Sequence, residues 1–527
     1  MTYRVTLDFD TYEAAREGFA WDVPADYNAA HDLLRKHEDP KGSVALFQGY
    51  PDGRRETYTF HDLDVRSNRV AGALRDLGVE RGDRVGVVVP QKPANVLTHL
   101  ACWKLGAVAS AREAVDAVRG GLPDLEHVVE VDGEAVGAAH AFEDLPAGQP
   151  REFDIVGTDA DTPAVIMYTS GSTGPPKGVL HRHGAWLGHC PAFLMYFERD
   201  VEDSVLWTPA DWAWIGALGD LVFPAWHYRR PVVGYPMGKF DAETAFGIAE
   251  EFGVTDTFLP PTAIRMMMKV EEPESAYDLD LEAICSGGEP LTPEILDWAA
   301  GTLDDVVVNE LYGQTEANLL VTNCRDWFEA RAGSMGKPVP GHDVAVVDPE
   351  TGEEVPTDEV GEIAVRHGGG SPYDGDPVIF REYWNLPEKT AAARVGEWHL
   401  TGDLGYRDSE GYFWFKSRDD DVIITAGYRV GPGEVESAVL EHPDVEQVGV
   451  IGVPEEIRGE IIKAFVQPVA DVVGDDALRE GIRDLVRENL AKHEYPREIE
   501  FMDELPQTTT GKIQRRKLRE REGIEGG

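Results

Sequence analysis

The sequence lacks any long hydrophobic run and any apolar segment at its start. Nothing in its 527 residues approaches the roughly 20 uninterrupted apolar residues that a membrane-spanning helix needs, and the longest runs, such as residues 85–89, have the length of a strand. The first ten residues contain Arg4, Asp8 and Asp10 and no apolar core of a secretory signal. These absences argue against a membrane protein and predict a cytoplasmic one.

Cysteine is scarce. The four cysteines, Cys102, Cys190, Cys285 and Cys324, form no Cys-x-x-Cys pair and belong to no cysteine–histidine cluster with the spacing of a zinc site. The pattern predicts four buried, reduced thiols and no structural metal.

Basic residues are few compared with acidic ones. Lys and Arg total 49 against 96 Asp and Glu, so the net charge is 49 - 96 = -47. A surface of this sign repels the phosphate backbone of nucleic acids and argues against binding them. The apolar content of 42% is that of a folded chain, so the acid excess does not indicate disorder. It suits a cytosol in which concentrated salt screens self-repulsion, and is consistent with a halophilic source.

The chain is longer than one hydrophobic core usually organises, which favours two or more packed units. Near its start, apolar periodicity predicts a helix at 63–77 that ends at Gly78, a buried strand at 84–89, and a helix at 93–105 that ends at Gly106. Further buried strands are predicted at 164–168, 255–259 and 306–308. Alternation of strands and helices indicates a layered α/β fold.

A charged run at 417–421 separates this part from a second, shorter one. The second part has its own predicted helices at 432–441 and 477–490, with strands at 447–452 and 463–469 between them. It therefore resembles a small separate domain.

The strongest local motif is Tyr-Thr-Ser-Gly-Ser-Thr-Gly-Pro-Pro-Lys-Gly-Val at 168–179, a short strand that runs into hydroxyl residues, glycines and a lysine. Small residues let backbone N–H groups approach phosphate oxygens, and Lys177 adds positive charge. The spacing is not that of a Walker A loop, because Pro176 stands at the second glycine position and Gly178 follows the lysine. The alternative to a phosphate loop is a flexible surface loop.

This motif resembles the phosphate loop of the adenylate-forming superfamily of acyl-CoA synthetases, adenylation domains and luciferases. Four more motifs agree in order: Ser-Gly-Gly-Glu-Pro-Leu at 286–291, Tyr-Gly-Gln-Thr-Glu at 312–316, Thr-Gly-Asp at 401–403 with Arg418 downstream, and Thr-Gly-Lys-Ile-Gln-Arg at 510–515. The match is best to acetyl-CoA and medium-chain acyl-CoA synthetases. It implies a ligase that uses ATP, Mg²⁺ and coenzyme A to convert a carboxylic acid to its acyl-CoA through an acyl-adenylate.

The resemblance also implies an ATP site. The residues that it assigns to the phosphates are Thr169, Ser170, Gly171, Ser172, Thr173, Gly174 and Lys177. Those that it assigns to the adenine and its surroundings are Gly288, Glu289, Pro290, Tyr312, Gly313 and Gln314. Asp403 and Arg418 are implied to hold the ribose hydroxyls, a task suited to a carboxylate acceptor and a charged donor. The alternatives are a turn, a core tyrosine and an ordinary surface ion pair.

Three residues are implied to act in catalysis. Glu316 matches the family residue that orients Mg²⁺, and Thr315 would touch phosphate. Lys512 matches the lysine that bridges the substrate carboxylate and the α-phosphate during adenylation, where positive charge is needed. The alternative for Lys512 is a solvated basic tail.

The resemblance divides the chain into a large multi-layer α/β domain at 1–418 and a small mobile α+β domain at 419–527. Asp420 matches the family hinge, about which the small domain rotates between the two half-reactions. Gly427, Tyr428 and Arg429 match the strand that lines the coenzyme A tunnel. Each of these could also be an ordinary strand residue.

The acid is predicted to be short- to medium-chain. Acetate-specific family members carry a Trp where this chain has Gly313, which suggests an open pocket floor. Trp214 matches another wall of the acyl pocket, although clustered tryptophans more often pack in a core.

The chain departs from its family near 110–121, where a strand–helix unit that helps to bind coenzyme A is missing. The loss could expose a sheet edge. Two alternatives to a synthetase therefore stay open: an adenylating enzyme with another acyl acceptor, and a catalytically silent nucleotide-binding protein.

Overall fold

A computed structural model describes residues 3–111, 125–132, 140–169, 176–289, 291–367, 376–418, 421–425, 428–455, 458–470, 472–490, 494–507 and 513–524. Packing divides the chain into two units. The larger contains Met1–Thr169, Lys177–Val344 and Val365–His399, and the smaller contains chiefly Ala345–Ala364 and Leu400–Gly527. The mixed α/β architecture with a large and a small unit confirms the predicted fold class. The predicted boundary at 418/419 stays a prediction.

The helices of the described residues are α1 (Tyr12–Gly18), α2 (Ala29–Arg35), α3 (Phe60–Asp76), α4 (Pro93–Leu105), α5 (Ala185–Tyr196), α6 (Ile215–Ala217), α7 (Phe223–His227), α8 (Ala242–Phe252), α9 (Pro261–Met267), α10 (Pro273–Ala276), α11 (Pro293–Thr302), α12 (Pro387–Ala392), α13 (Pro432–Leu440), α14 (Asp476–Asn489) and α15 (Arg515–Arg521). A π-helical segment, Leu218–Val222, connects α6 to α7.

The strands are β1 (Val44–Gly49), β2 (Arg55–Thr59), β3 (Arg84–Val87), β4 (Val108–Ala111), β5 (Val129–Glu130), β6 (His140–Ala141), β7 (Pro163–Thr169), β8 (Lys177–Arg182), β9 (Leu206–Trp207), β10 (Val232–Gly234), β11 (Asp256–Phe258), β12 (Ala283–Gly287), β13 (Val307–Gln314), β14 (Ala317–Thr322), β15 (Lys337–Pro338), β16 (Val344–Val347), β17 (Gly361–Arg366), β18 (Glu382–Tyr383), β19 (Arg394–Val395), β20 (Trp398–Arg407), β21 (Phe413–Arg418), β22 (Ile423–Thr425), β23 (Tyr428–Val430), β24 (Val445–Glu455), β25 (Gly459–Pro468) and β26 (Glu498–Phe501).

Two sheets organise the larger unit. One has nine strands in the order β15-β14-β13-β12-β11-β9-β10-β1-β2, and its centre, from β13 to β1, is parallel. The other has the order β18-β8-β7-β4-β3. Parallel strands place their carboxyl ends along one edge, so the loops after β11, β12 and β13 share one side of the nine-stranded sheet.

A third sheet has the order β16-β17-β20-β19, and β21 also pairs with β20. The smaller unit contains a further sheet of order β23-β22-β25-β24, in which β26 pairs with β25. Helices α13 and α14 pack on this sheet through Val435, Val439, Ile482 and Val486, which are buried with its apolar face.

Several predicted elements are confirmed because their signals are local. Helix α4 has the predicted ends, with Pro93 in its first turn and Gly106 in the left-handed conformation at φ 70°. Helix α3 begins three residues before the predicted helix, at a capping box formed by Thr59 and Asp62. The four cysteines are buried and free, as predicted.

The prediction of a buried strand at 84–89 is wrong in its burial. The strand exists as β3, but only Val87 is buried in it, and Val88 beyond its end is 41% exposed. Since β3 is the edge strand of its sheet, one side has no neighbouring strand among the described residues to cover it.

No helix in the described ranges is both long and apolar enough to cross a bilayer.

Candidate active site

The ends of two neighbouring strands hold the predicted phosphate loop. Thr169 is the last residue of β7, Lys177 is the first of β8, and the two are direct partners in the antiparallel pair. The loop between them contains Ser170, Gly171, Ser172, Thr173 and Gly174, which lie outside the described residues. The base of the loop is thus a hairpin that brings Lys177 beside Thr169.

Tyr383 connects Lys177 to the predicted magnesium-orienting residue. The Lys177 Nζ atom lies 4.8 Å from the centre of the Tyr383 ring. The Tyr383 hydroxyl donates a hydrogen bond of 2.7 Å to Oε1 of Glu316. Because Tyr383 itself lies in β18, which pairs with β8, one buried side chain links the end of the phosphate loop to Glu316. We call this arrangement the Tyr383 link.

The backbone of Thr315 and Glu316 is held from two sides. His181 Nε2 lies 2.7 Å from the Thr315 carbonyl oxygen, and the Phe380 N–H donates to the Glu316 carbonyl oxygen at 2.7 Å. Burial lowers the pKa of His181 to about 4, so the ring is neutral and its Nε2–H is the donor to the carbonyl. These bonds hold the backbone from which the two predicted catalytic side chains project.

The predicted adenine residues meet at the carboxyl ends of two parallel strands. Gly287, the last residue of β12, pairs with Leu311 in β13, so Gly288 and Glu289 come next to Tyr312. Gly288 has a φ of 91°, a conformation that glycine adopts without steric cost. The structure therefore brings Gly288, Glu289 and Tyr312 together, whereas Pro290 lies outside the described residues.

The predicted ribose pair is formed within the smaller unit. Asp403 in β20 and Arg418 in β21 are cross-strand partners, and Arg418 Nη1 lies 3.2 Å from Asp403 Oδ1. Asp403 is nearly buried, while the Arg418 side chain is 40% exposed. The pair thus offers a fixed carboxylate beside an accessible guanidinium.

Gly313 has a local structural reason. A Cβ atom at this position would overlap the Leu319 backbone nitrogen and come within 2.9 Å of the Asn318 carbonyl carbon. The strand pair of β13 and β14 bulges here and leaves no room for a side chain. The glycine therefore has a local packing reason, and its place in the floor of the acyl pocket stays a prediction.

Trp214 is half-buried and forms the N-cap residue of α6. Its neighbour Trp212 is fully buried in the core. Of these two aromatic side chains, Trp214 is thus the one with exposed surface.

The remaining predicted residues are placed only in part. Asp420, Gly427 and Lys512 lie outside the described residues. Tyr428 is 53% exposed in β23, and Arg429 is its neighbour in the same strand. Gln314 ends β13.

Sequence reasoning missed Tyr383, His181 and Arg265. Arg265 in α9 lies 3.7 Å from Glu289, through its Nη1 and the Glu289 Oε2 atom. Each of the three contacts a residue that is distant in sequence, and no local pattern predicts such a contact. The position of His181, directly after the motif at 168–179 and within the same hairpin, was the one available signal.

Over the described ranges, no group of three or more His, Cys, Asp or Glu side chains could hold a metal ion. Glu316 is a single carboxylate, and only its Oε1 is used in the hydrogen bond from Tyr383. One carboxylate together with phosphate oxygens is an ordinary ligand set for Mg²⁺, so these residues fit a metal that arrives with ATP.

Comparison with known proteins decides the family. A sequence model described as AMP-binding enzyme matches residues 34–114 and 110–375, and a model of the AMP-binding enzyme C-terminal domain matches residues 434–512. The chain belongs to the AMP-binding enzyme family. The first match comes in two segments that overlap at residues 110–114.

Known members of the AMP-binding enzyme family resemble this chain along nearly its whole length. Acetyl-coenzyme A synthetase of Bacillus subtilis is 36% identical, covering 93% of this chain and 90% of that protein. The mitochondrial acyl-coenzyme A synthetase ACSM4 of Rattus norvegicus is 34% identical, covering 95% of this chain and 91% of that protein. The crystal structure of the anthranilate CoA ligase AuaEII with anthranoyl-AMP has a TM-score of 0.84 at 29% identity, covering 95% of this chain and 98% of that one.

Proposed function

We infer that this protein is an AMP-forming acyl-CoA synthetase. It converts a carboxylic acid, ATP and coenzyme A to acyl-CoA, AMP and pyrophosphate through an acyl-adenylate. The relatives in Bacillus subtilis and rat are named as synthetases of this kind, and the solved relative holds an acyl-adenylate. Within this chain the Tyr383 link carries the inference, because it joins Lys177 at the end of the phosphate loop to Glu316.

In the first half-reaction, a carboxylate oxygen of the acid attacks the α-phosphorus of ATP, and the bond from that phosphorus to the β-phosphate bridging oxygen breaks. Pyrophosphate leaves with the electron pair of that bond. Two anions approach each other in this step, so fixed positive charge and hydrogen-bond donors lower its barrier. We assign these tasks to Lys177, to the hydroxyls and backbone N–H groups of residues 169–174, and to Lys512.

In the second half-reaction, the coenzyme A thiolate attacks the acyl carbonyl carbon. The bond from that carbon to the phosphate oxygen breaks, and AMP leaves. Pyrophosphate must depart before the thiol can enter, and we assign the required change of arrangement to a hinge at Asp420. Gly427, Tyr428 and Arg429 are the proposed contacts of the pantetheine chain, and the exposure of Tyr428 supports this.

Magnesium enters with the ATP phosphates as part of the substrate. Glu316 is its proposed protein ligand. The buried hydroxyl of Tyr383 holds Oε1 of this carboxylate, which fixes the orientation of the side chain.

Gly288, Glu289, Pro290 and Tyr312 are the proposed adenine contacts, and Asp403 and Arg418 the proposed ribose contacts. The adjacency of Gly288 to Tyr312 supports the first group, and the ion pair of 3.2 Å supports the second.

The proposed substrate is a short- to medium-chain carboxylic acid. Trp214 is the proposed wall of the acyl pocket, because its ring is only half-buried. An aromatic wall favours an apolar portion of the acid.

The proposed setting is the cytoplasm of a salt-rich cell, in fatty-acid metabolism. A net charge of -47 at neutral pH is tolerable where concentrated salt screens self-repulsion.

Two assays test the function. Acid-dependent exchange of labelled pyrophosphate into ATP, measured with acetate, butyrate, octanoate and benzoate, reports the first half-reaction. AMP release that depends on coenzyme A reports the second. Exchange without coenzyme A-dependent release would indicate another acyl acceptor, consistent with the shortened region at 110–121. No exchange with any acid would contradict the enzyme function.

A substitution of the terminal lysine tests its assigned role. Lys512→Ala should abolish pyrophosphate exchange and leave thioester formation from supplied acyl-adenylate nearly intact. The reason is that the ammonium group acts only in the first half-reaction, in which the carboxylate approaches the negatively charged α-phosphate. Lys517→Ala is the matched control, an exposed lysine of α15 with the same charge. An equal loss of both half-reactions in Lys512→Ala would contradict the assignment.

A further inference from the structure

A carboxyl group without a cationic partner is buried in the π-helical segment Leu218–Val222. The Asp220 residue is 3% exposed, and its Oδ1 accepts a hydrogen bond from Nδ2 of Asn318. Throughout the described ranges, no Lys, Arg or His forms an ion pair with it, and no other hydrogen bond reaches its carboxyl. Burial raises the pKa of Asp220 well above its ordinary value, a rise that the bond from Asn318 only partly offsets, and this favours the protonated form of the carboxyl.

Asp220 lies at the edge of the sheet where ligands bind in open α/β folds. A Cβ placed on Gly216 would be 3.6 Å from Asp220 Oδ2 and 3.5 Å from Cε1 of Phe258, the last residue of β11. Asn318 follows Glu316 by two positions, at the start of β14. The carboxyl therefore lies at the carboxyl end of the parallel strands, a short distance from the catalytic segment.

Two glycines lie in the turn that contains Asp220. Gly216 is only half-buried, whereas Gly219 is buried against His189 and Ile215. Trp214, the proposed wall of the acyl pocket, immediately precedes α6. A π-helical turn in such a place is frequent at functional sites.

A second polar group borders the same turn. His189 is fully buried, and the Nε2 atom of its ring has no hydrogen-bond partner among the residues that the structure describes. Its Nε2 lies 3.1 Å from the place that a Cβ on Gly219 would take. Burial lowers the pKa of His189 to about 3, so the ring is neutral. A buried polar atom without a hydrogen-bond partner is energetically costly, which suggests that a ligand supplies the missing partner here.

We propose that Asp220, held by Asn318, selects carboxylic acids that carry an uncharged hydrogen-bonding group, a hydroxyl or an amino group, at a distance from the reacting carboxylate. A protonated carboxyl both donates and accepts, so it pairs with such a group and offers no countercharge to a cation. A plain hydrocarbon tail would leave it without that partner, and sites of this kind discriminate against the analogue that lacks the polar group. This inference rests on the proposed synthetase function and on the acyl pocket lying beside Trp214.

The test compares matched acids in the pyrophosphate exchange assay. The pairs are hexanoate with 6-hydroxyhexanoate, and benzoate with its hydroxy and amino derivatives. For the wild-type enzyme, kcat/KM for at least one hydroxy or amino acid should exceed that of its parent by about tenfold, the effect of one buried hydrogen bond. Asp220→Leu should abolish or reverse this preference, and Asp220→Asn should retain part of it.

Asp256→Asn is the matched control. Asp256 is also a buried carboxyl without an ion pair among the described residues, but it begins β11 and so lies at the opposite end of the strand from Phe258. Its substitution should leave the preference unchanged. An Asp220→Leu enzyme with the wild-type preference, or a wild-type enzyme that prefers no substituted acid, would overturn the proposal.

Circular dichroism establishes whether Asp220→Leu folds. If it does not, Asp220→Asn and the wild-type preference decide the question. Absence of exchange with every acid in the wild type contradicts the synthetase function itself. Exchange with a preference that Asp220 does not affect contradicts only the role of this residue.

Discussion

Two groups of carboxyls in the larger unit differ in their partners. Asp64 is half-buried and contacts Lys104 Nζ through Oδ1 at 2.7 Å and Arg35 Nε at 2.9 Å. Asp256 and Glu310 are more deeply buried, and no cation pairs with either in the part of the chain that the structure describes. The first kind is an ion pair, and the second is a lone carboxyl.

The pKa values of the two kinds of carboxyl are shifted in opposite directions. Burial raises the pKa of Asp64, but Lys104 and Arg35 lower it by more, so its pKa lies below the ordinary value. Burial raises the pKa of Asp256 to about 7 and that of Glu310 to about 8, because no positive charge offsets the loss of water. Where no cation lies beside a buried carboxyl, protonation is the alternative way to avoid an unpaired buried charge.

Removing the cation of the ion pair should have the largest effect. Lys104 is fully buried, and its Nζ bonds to Asp64, Ser67 and Asn68 at 2.7 to 2.8 Å. Lys104→Met keeps the apolar stem but leaves these acceptors underpartnered, so the free energy of unfolding should fall by about 3 to 5 kcal/mol. Urea denaturation at pH 7 measures it.

Arg54→Met is the control for this loss. Arg54 pairs with Asp52 at 2.8 Å on the surface, where both side chains are more than half exposed. Its removal should not measurably change the denaturation midpoint. A Lys104→Met protein as stable as Arg54→Met would contradict the view that the buried pair stabilises the fold.

Removing the charge of a lone carboxyl should change the free energy of unfolding by a smaller amount and in the opposite direction. The pKa of Asp256 in the folded state is about 7, above its unfolded value, so its favourable contribution is complete in acid and is lost as pH rises through 7. Asp256→Asn cannot ionise and still accepts from the Thr255 hydroxyl, which donates to Oδ2 at 2.6 Å in the native protein. It should raise the free energy of unfolding by about 1 to 2 kcal/mol above pH 8 and have little effect at pH 4.

Asp64→Asn makes this comparison a direct one. The pKa of Asp64 is lowered by its partners, so its stabilising contribution is present at neutral pH and is lost as pH falls through the folded pKa. The same aspartate-to-asparagine change should therefore destabilise the protein at pH 8. Denaturation curves of both variants between pH 4 and 9 should diverge as pH rises, and parallel curves would be incompatible with the difference in partners.

Elements with local signals could be predicted from the sequence. Pro93 and Gly106 mark the ends of α4, and the strand before the phosphate loop is β7. Asp403 and Arg418, which belong to motifs of the family, were expected in one site and do form an ion pair, while their role in ribose binding stays a prediction. Short-range chemistry and motif order thus fix much of the architecture and part of the site.

Contacts between distant segments could not be predicted. Tyr383 is 67 residues from Glu316, and its bond depends on β18 pairing with β8, which no local pattern specifies. The close packing at Gly313 could not be predicted for the same reason, since the atoms that a Cβ there would meet belong to Asn318 and Leu319 across a bulge. Sheet register decides both cases, and it is a property of the folded chain.

Glu316 is another buried carboxyl whose partner is a neutral donor, here the hydroxyl of Tyr383. Tyr383→Phe removes the hydroxyl that donates to Oε1 at 2.7 Å and keeps the ring beside Lys177. Since no charge is lost, the stability should change by only about 1 kcal/mol. Adenylation should suffer more, because an unanchored Glu316 no longer presents a fixed oxygen to the magnesium of ATP.

Steady-state pyrophosphate exchange separates these two effects. The kcat for adenylation in Tyr383→Phe should fall about tenfold, the equivalent of one hydrogen bond, and a higher Mg²⁺ concentration should recover part of the loss. Tyr277→Phe is the matched control, a tyrosine that stacks on Phe246 in the same unit and is remote from Glu316 in the fold. If Tyr383→Phe exchanges pyrophosphate at the wild-type rate at limiting Mg²⁺, Glu316 does not need the hydrogen bond from Tyr383. The Tyr383 side chain would then contribute only to packing.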